Sequence, residues 1–325
     1  MLLRYMRHSA FLLLSREGKI LSCSENKSSS LTNLLFCFLR LTGTIALTSD
    51  FSYNRRMVTF KQYFRQSTTA KIFRAFRYNF VDFVATLGAI VQNGLITLKY
   101  IFMGQIDRKE LMDQCVRFGI SSLPITLSIV GMTSIIVTSQ VASEMVKQGG
   151  GNFVGLLVSI LIVREVGAVM SGFAIISMIG SSLASEIATM RVTEQIDAIT
   201  VLKVNPIRYL FVPRVLSGIL MMPVLVIIAS AFGVITGAVT TAMTTELDFL
   251  AYFDSAWLGI YMKDLGVCLI KSIAFGGTIA LISCSCGYQA SGGAKGVGLA
   301  TNKAVVWSLV AIVIWDLIFS IAFFF

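Results

Sequence analysis

The chain is poor in charged residues, which make up 14% of it, whereas 55% of its residues are hydrophobic. A soluble domain carries about 25% charged residues on average. A surface so poor in charge cannot be wetted over most of its area, so the composition excludes an ordinary soluble domain and a disordered chain. The mean hydropathy of +0.79 instead predicts an integral membrane protein.

Histidine is nearly absent, because His8 is the only one and it lies close to the N-terminus. This excludes His-based triads, multi-histidine metal sites and histidine relays from the rest of the chain. The six cysteines lack zinc-type spacing, and we expect Cys284 and Cys286 to be small buried hydrophobic residues. We therefore expect no metal site and no enzymatic activity of the chain itself.

The net charge of +10 is concentrated in residues 1–75, which hold 12 basic and 3 acidic residues. Such a Ser-rich, basic extension suits an anionic membrane surface. Nucleic acid is the rival partner, but no nucleic-acid-binding fold follows, so we expect none. The extension is interpreted as a targeting segment, a disordered tail or the result of a mistaken start at which Met57 is the true first residue. The sequence leaves open whether residues 1–56 belong to the mature protein.

Apolar periodicity predicts an all-α fold. Residues 76–100 repeat apolar side chains at helical spacing between basic flanks, which is typical of an amphipathic helix lying in the membrane interface. A polar linker completes the region 76–117, and the region 118–325 is predicted to form the membrane domain. Its apolar stretches predict five transmembrane helices. They cover residues 118–141, 153–183, 209–240, 266–288 and 304–325. The second span is expected either to be interrupted at Arg164 and Glu165 or to be preceded by a short helix that ends there.

Basic residues in the short loops set the expected orientation. Segments 185–214 and 289–303 carry Lys and Arg, so we expect them in the cytoplasm together with the N-terminus. The acidic, aromatic segment 246–264 is expected to form surface helices at a water interface on the other side. The Gly-rich segment 289–303 is expected to be a flexible loop, and it lacks the residue pattern of a phosphate-binding loop.

Four ionisable residues fall within the predicted spans: Arg164, Glu165, Lys271 and Asp316. A charge in lipid is costly, so each is a candidate for function. Each also has a structural explanation. The first two can mark an interface between helices, Lys271 can snorkel to the surface, and Asp316 can cap a polar network or pair with Lys271. We favour a structural role over a proton relay.

The segment 185–213 is helix-prone and dense in charge. The residues of interest are Glu186, Arg191, Glu194, Gln195 and Asp197. Asp197 is three positions after Glu194, which places both on one face of a continuous helix. A short cytoplasmic helix between two spans is what a permease offers to a motor subunit, and a solvated loop is the plain alternative.

Several segments resemble the MlaE/YrbE permease family, the membrane subunits of ABC systems that move lipids between membranes. They are REVGAVMSG (164–172), SSLASEIATMRVTEQIDAI (181–199), NPIRYLFVPRVLSGILMMPVL (205–225), CLIKSIAFG (268–276) and GYQASGGAKGVGLATNKAVV (287–306). The resemblance covers about residues 75–325, and its most specific part is EIATMRVTEQIDA.

The resemblance implies a homodimer of five-span subunits, each with an N-terminal interfacial helix. It implies a separate cytoplasmic ATPase that docks around residues 186–197 and uses ATP, so that no cofactor is bound by this chain. It also implies an MCE-domain partner on the outer side, often a STAS-domain partner, and phospholipid or another amphipathic lipid as cargo. Two family residues are missing: a Pro is replaced by Ala168 and an Arg by Met178.

Two other classes of function stay open on the sequence. One is a secondary transporter driven by an ion gradient, for which Asp316 is a mid-span carboxylate but no internal repeat is seen. The other is a membrane scaffold without transport. The expected location is the inner membrane of a bacterium, with the inner envelope of a plastid as the alternative. The sequence predicts neither the lipid nor its direction of travel.

Overall fold

The computed structural model describes residues 68–104, 108–245 and 248–324. The predictions for residues 1–56 and for Met57 lie outside these ranges. The chain divides into two units, residues 1–78 and 79–325, and the first turns of helix α1 are the part of the first unit that is described. All the regular structure of the described residues is helical, so the predicted all-α class is confirmed.

Eleven α-helices make up the described structure. They are α1 (Thr68–Phe102), α2 (Arg108–Gly119), α3 (Leu123–Lys147), α4 (Val154–Leu161), α5 (Gly167–Ile175), α6 (Ser181–Val192), α7 (Gln195–Val201), α8 (Pro206–Thr244), α9 (Phe249–Gly259), α10 (Met262–Tyr288) and α11 (Gly293–Phe324).

Six helical stretches in the described part of the chain are long and apolar enough to cross a membrane. Five of them contain the predicted spans. The sixth, Phe83–Phe102, belongs to the predicted interfacial helix and has the lowest mean hydropathy of the six, 1.2. One face of this helix packs on the bundle: Phe83 stacks on Trp307 with ring centroids 4.4 Å apart, and Asn93 donates to Ser285. Ile90 is buried in this contact and Ile101 packs against the core, whereas most of the other described apolar side chains of the helix are exposed, as expected of a helix in contact with lipid.

The second span is continuous from Gly151 to Val192, so the predicted interruption at Arg164 and Glu165 is wrong. The helix instead widens twice, into π-turns at Ile162–Val166 and Ile176–Gly180. A π-turn accommodates an extra residue without breaking the helix, which keeps the backbone hydrogen-bonded inside the bilayer. The pair of charges that suggested a break therefore lies on the first π-turn.

The expected flexible loop at 289–303 is largely helical, which corrects the prediction. Two glycines with positive φ, Gly292 and Gly293, make the turn, and α11 begins at Gly293. Glycine lowers helix propensity but does not prevent a helix whose apolar face is packed. Here Val297 and Ala300 pack against Ala188 of α6.

The ends of the bundle follow the predicted grouping of loops. The segment after α6 and the start of α11 share one end, where Arg191 lies over the ring of Tyr288 at 5.6 Å. At the other end α9 packs on α4, because Gly155 and Gly259 allow close backbone contact. We call these the basic end and the acidic end. The expected water interface at 246–264 is partly wrong, since Tyr252 and Asp264 are buried.

The central contact joins α8 and α10 through two glycines. A Cβ on Gly218 would lie 2.6 Å from the carbonyl oxygen of Gly276, and a Cβ on Gly276 would collide with the carbonyl oxygen of Gly218. Small residues let membrane helices approach this closely. Around the contact, a core of buried side chains includes Met222, Phe275 and Ile279.

We expect Gly276→Ala to destabilise the protein by about 1–3 kcal/mol, because the added methyl group forces α8 and α10 apart. Gly266→Ala is the matched control on the same helix, where a Cβ meets nothing within 4 Å, and it should be neutral or slightly stabilising. The measurement is the apparent melting temperature of both variants in detergent. Equal melting temperatures would contradict the assigned contact.

Candidate functional site

The predicted docking segment is a broken helix at the basic end. Helix α6 ends at Val192, Thr193 follows, and Glu194 adopts φ 60, in the left-handed region, before α7 begins at Gln195. A non-glycine residue in this conformation is uncommon and fixes a sharp change of chain direction. Arg191 and Asp197 close the turn with an ion pair of 2.6 Å.

This break corrects the helix face expected from the sequence. Glu194 and Asp197 do not share a face of one helix, because the left-handed residue separates α6 from α7. Glu194, Gln195 and Asp197 are exposed to solvent. Val201, the last residue of α7, and Leu202 after it are also exposed, at 82% and 75%. The segment thus presents a charged and apolar surface that is fixed in shape.

Glu186 faces the opposite way, toward the interior of the bundle. Its two carboxylate oxygens accept hydrogen bonds from Arg117 and Arg214, each at 2.6 Å. Arg214 is buried and also donates to the carbonyl of Leu210, while Arg117 donates to Ser182. These residues, the Glu186 cluster, join α2, α6 and α8. Loss of Glu186 would leave the Arg214 guanidinium buried without its carboxylate, which typically costs about 3–5 kcal/mol.

Two members of the Glu186 cluster were missed by the sequence analysis. Arg117 was assigned to a polar linker, and Arg214 was counted only as a cation that orients the loop. The sequence does contain a signal for Arg214: this residue follows Pro213 inside a long apolar run. A cation there must find a carboxylate or reach the surface.

The second group of charges lies within the spans and centres on Lys271. The Lys271 side chain is fully buried, so the expectation that it snorkels is wrong. Its Nζ donates to both carboxylate oxygens of Glu165 at 3.1 Å and to Asp316 at 2.9 Å. It also donates to Ser320, which in turn donates to Glu165. Lys271 thus joins the first π-turn, α10 and α11.

Arg164, next to Glu165 on the same π-turn, reaches a different carboxylate. Its guanidinium pairs with the buried Asp264 at 3.0 Å, and its carbonyl accepts a hydrogen bond from Lys271. Asp264 and Lys271 are seven residues apart on α10, which is two turns along one face. We call Arg164, Glu165, Asp264, Lys271, Asp316 and Ser320 the Lys271 cluster. Sequence analysis missed Asp264 and Ser320, although both follow the helical spacing.

The cluster contains two cations and three carboxylates, all in contact with a partner. Such an arrangement stabilises the packing of three helical segments in a medium that cannot solvate their charges. The four ionisable residues predicted within the spans all belong to it. The docking residues Arg191, Glu194, Gln195 and Asp197 belong to neither cluster.

The two positions that depart from the family pattern lie close to the π-turns. Ala168 is fully buried in the core at the start of α5, one residue past Gly167. Met178 lies on the second π-turn and packs against the same core. An apolar side chain at position 178 makes this π-turn part of the hydrophobic contact surface.

A comparison with protein families finds a match to the model of permease MlaE over residues 111–322. A probable ABC transporter permease of the cyanobacterium Synechocystis is 38% identical, over 68% of this chain and 84% of that protein. A probable ABC transporter permease of Rickettsia prowazekii is 33% identical, over 75% of this chain and 94% of the relative. The chloroplastic protein TRIGALACTOSYLDIACYLGLYCEROL 1 of Arabidopsis thaliana is 34% identical, over 71% of this chain and 66% of that protein.

The charge count of the Lys271 cluster predicts that removal of Lys271 destabilises the protein more than removal of Asp316. Lys271→Met leaves Glu165 and Asp316, which are partly buried within the spans, without their ammonium and should cost about 3–5 kcal/mol, whereas Asp316→Asn leaves one cation for Glu165 and should cost about 1 kcal/mol. The measurement is the fraction of protein recovered as a monodisperse species after a heating series. Equal losses for both variants would contradict the assignment of Lys271 as the central residue.

Proposed function

The chain belongs to the MlaE family of ABC transporter permeases, and from this premise we propose that it moves phospholipid or a related amphipathic lipid between membranes. A separate cytoplasmic ATPase supplies the energy, and ATP binds to that subunit and not to this chain. An MCE-domain protein receives or delivers the lipid on the outer side. A STAS-domain protein is a further proposed partner, and two copies of the chain form the transport unit.

The observation that carries the coupling to an ATPase is the broken helix at the basic end. It exposes Glu194, Asp197, Val201 and Leu202 on a short element of fixed shape. Through Glu186, about two turns before the break, the same element is tied to α2 and α8. A displacement of α7 is thereby transmitted to α2, α6 and α8, as coupling through a shared structural element requires.

The lipid cargo is supported by two observations of different kinds. The name of the Arabidopsis relative contains that of a lipid, trigalactosyldiacylglycerol. In addition, the described surface exposes large apolar side chains along most of the spans, so amphipathic molecules of the bilayer have access to it. The proposed location is an inner membrane of bacterial type. The chloroplastic relative and the basic, Ser-rich extension support the plastid inner envelope as the alternative.

The proposal is tested by purification of the tagged full chain from its native membrane in mild detergent, after chemical cross-linking in the membrane. Mass spectrometry of proteins and lipids should identify an ATPase, an MCE-domain protein and enriched phospholipid. Recovery of the cross-linked chain alone, with bulk lipid composition, would contradict the proposal and favour a secondary transporter or a scaffold.

Within the assembled complex, we expect Glu194→Lys to abolish lipid-stimulated ATPase activity, a loss of about tenfold or more. The change reverses an exposed charge without altering the backbone preference, because neither Glu nor Lys favours the left-handed region. Membrane insertion should be intact. Asp113→Lys, which reverses an exposed carboxylate on α2, is the control and should retain activity. Unchanged activity of Glu194→Lys would show that Glu194 has no part in coupling.

A further inference from the structure

An apolar chamber of 340 Å³ lies where α8, α9 and α10 meet the first π-turn. Its lining includes Val163, Ile227, Val234, Phe253, Trp257 and Cys268. The polar member of the lining is Ser230, whose hydroxyl donates to the carbonyl of Val226 on its own helix. A chamber whose walls offer no free polar group stays dry, so its ligand must be apolar.

The chamber is built by fixed elements and is not a local packing fault. Ser159 of α4 donates to the carbonyl of Ala256 at 3.1 Å, which ties α9 to the second span. A Cβ on Gly259 would lie 2.8 Å from the carbonyl of Leu156, so the two backbones are in direct contact. On the opposite wall, Cys268 is one turn from Lys271 and is held by the cluster around that residue. Ligand sites in proteins are usually preformed in this way.

The chamber opens sideways, at a surface that is itself apolar. Ile227 and Ile235 of α8 line the chamber and are exposed, and so is Trp257 of α9, at 82%. Tryptophan is typical of the boundary between the apolar core of a bilayer and its headgroups. The opening therefore lies where the chain of a lipid can enter from the bilayer while its headgroup stays at the boundary.

We propose that this chamber binds one acyl chain of a bilayer phospholipid. A dry cavity of about 150 Å³ holds one benzene molecule, so the volume of 340 Å³ accommodates roughly a dozen carbon atoms. This is most of one acyl chain and leaves no room for a second. Arg164 and Asp264 are next in sequence to the lining residues Val163 and Leu265 and are paired with each other. Neither of these two charged residues lines the chamber.

The binding site is a property of one copy of the chain, and it does not depend on the transport function proposed above. A protein that bound an acyl chain here without transporting it would satisfy this inference and contradict the other. Conversely, transport without a retained chain would contradict this inference alone. The two proposals are therefore separable by experiment.

The test uses the full chain in nanodiscs of phosphatidylcholine that contain a phosphatidylcholine with a diazirine midway along one acyl chain. After irradiation, peptides are mapped by mass spectrometry. We expect adducts on the chamber residues of α8 and α9 to decrease about fivefold or more in Ala231→Trp, because the indole fills the chamber and excludes the chain. Ile235→Trp, one turn further along α8, is a second filling variant in case the first fails to fold.

The matched control is Val224→Trp. It lies on nearly the same face of α8, two turns before Ala231, and it is exposed but outside the chamber. Adduct yield in the chamber should be unchanged in this variant. Equal labelling of the chamber in wild type and both filling variants would mean that only surrounding lipid is labelled, and would overturn the proposal. Absence of adducts on the chamber residues in the wild type would also overturn the proposal, because the chamber then holds no acyl chain.

Discussion

The buried ammonium of Lys271 is the constraint on which the arrangement of the spans depends. A lysine side chain with no exposed surface in a lipid environment must have its charge neutralised and its three N–H groups bonded. Glu165, Asp316 and Ser320 meet this need from the second span and from α11. The three segments cannot slide past one another by even one turn without separating these partners. Packing of apolar side chains alone sets no such register, because lipid and neighbouring helices are equally apolar.

A second group of charges fixes the opposite end of the bundle. The Glu186 cluster joins α2, α6 and α8 close to the exposed segment that we assign to an ATPase partner. The Lys271 cluster joins the first π-turn to α10 and α11. Both clusters contain residues of the same long helical span, between Gly151 and Val192. Among the described residues, this span is thus the one element that carries members of both clusters.

The sequence was sufficient for the class of fold, the positions of the spans and the grouping of the loops, because hydropathy and the distribution of Lys and Arg depend on the bilayer and not on tertiary packing. It was insufficient where a local signal had two structural outcomes. Arg164 and Glu165 suggested a break, but the extra residue is absorbed as a π-turn. The glycines after Gln289 suggested a loop, but packing of Val297 and Ala300 makes them helical.

The candidate site was predictable to a similar extent. The intramembrane charges were identifiable singly, since each charge in an apolar run is conspicuous. Their partners depended on contacts between residues 45 to 155 positions apart in the chain, which spacing within one helix does not reveal. Glu186 and Glu194 fell in one charged segment, yet one faces the interior and the other solvent. The left-handed conformation of Glu194 could not be predicted from the residue type, because glutamate does not favour it.

The two π-turns have a mechanical consequence for the span that carries them. A widened turn can exchange one pattern of backbone hydrogen bonds for another without unfolding, so it acts as a joint in an otherwise stiff rod. The span from Gly151 to Val192 is in effect three rods, α4, α5 and α6, in series. The π-turn at Met178 lies between α6 and α5, and the π-turn at Ile162–Val166 lies between α5 and α4. A rotation of α6 can therefore be taken up at the first of these joints, and any remainder at the second. The chain can therefore swivel at its basic end while α4 and α9 stay clamped together at the other.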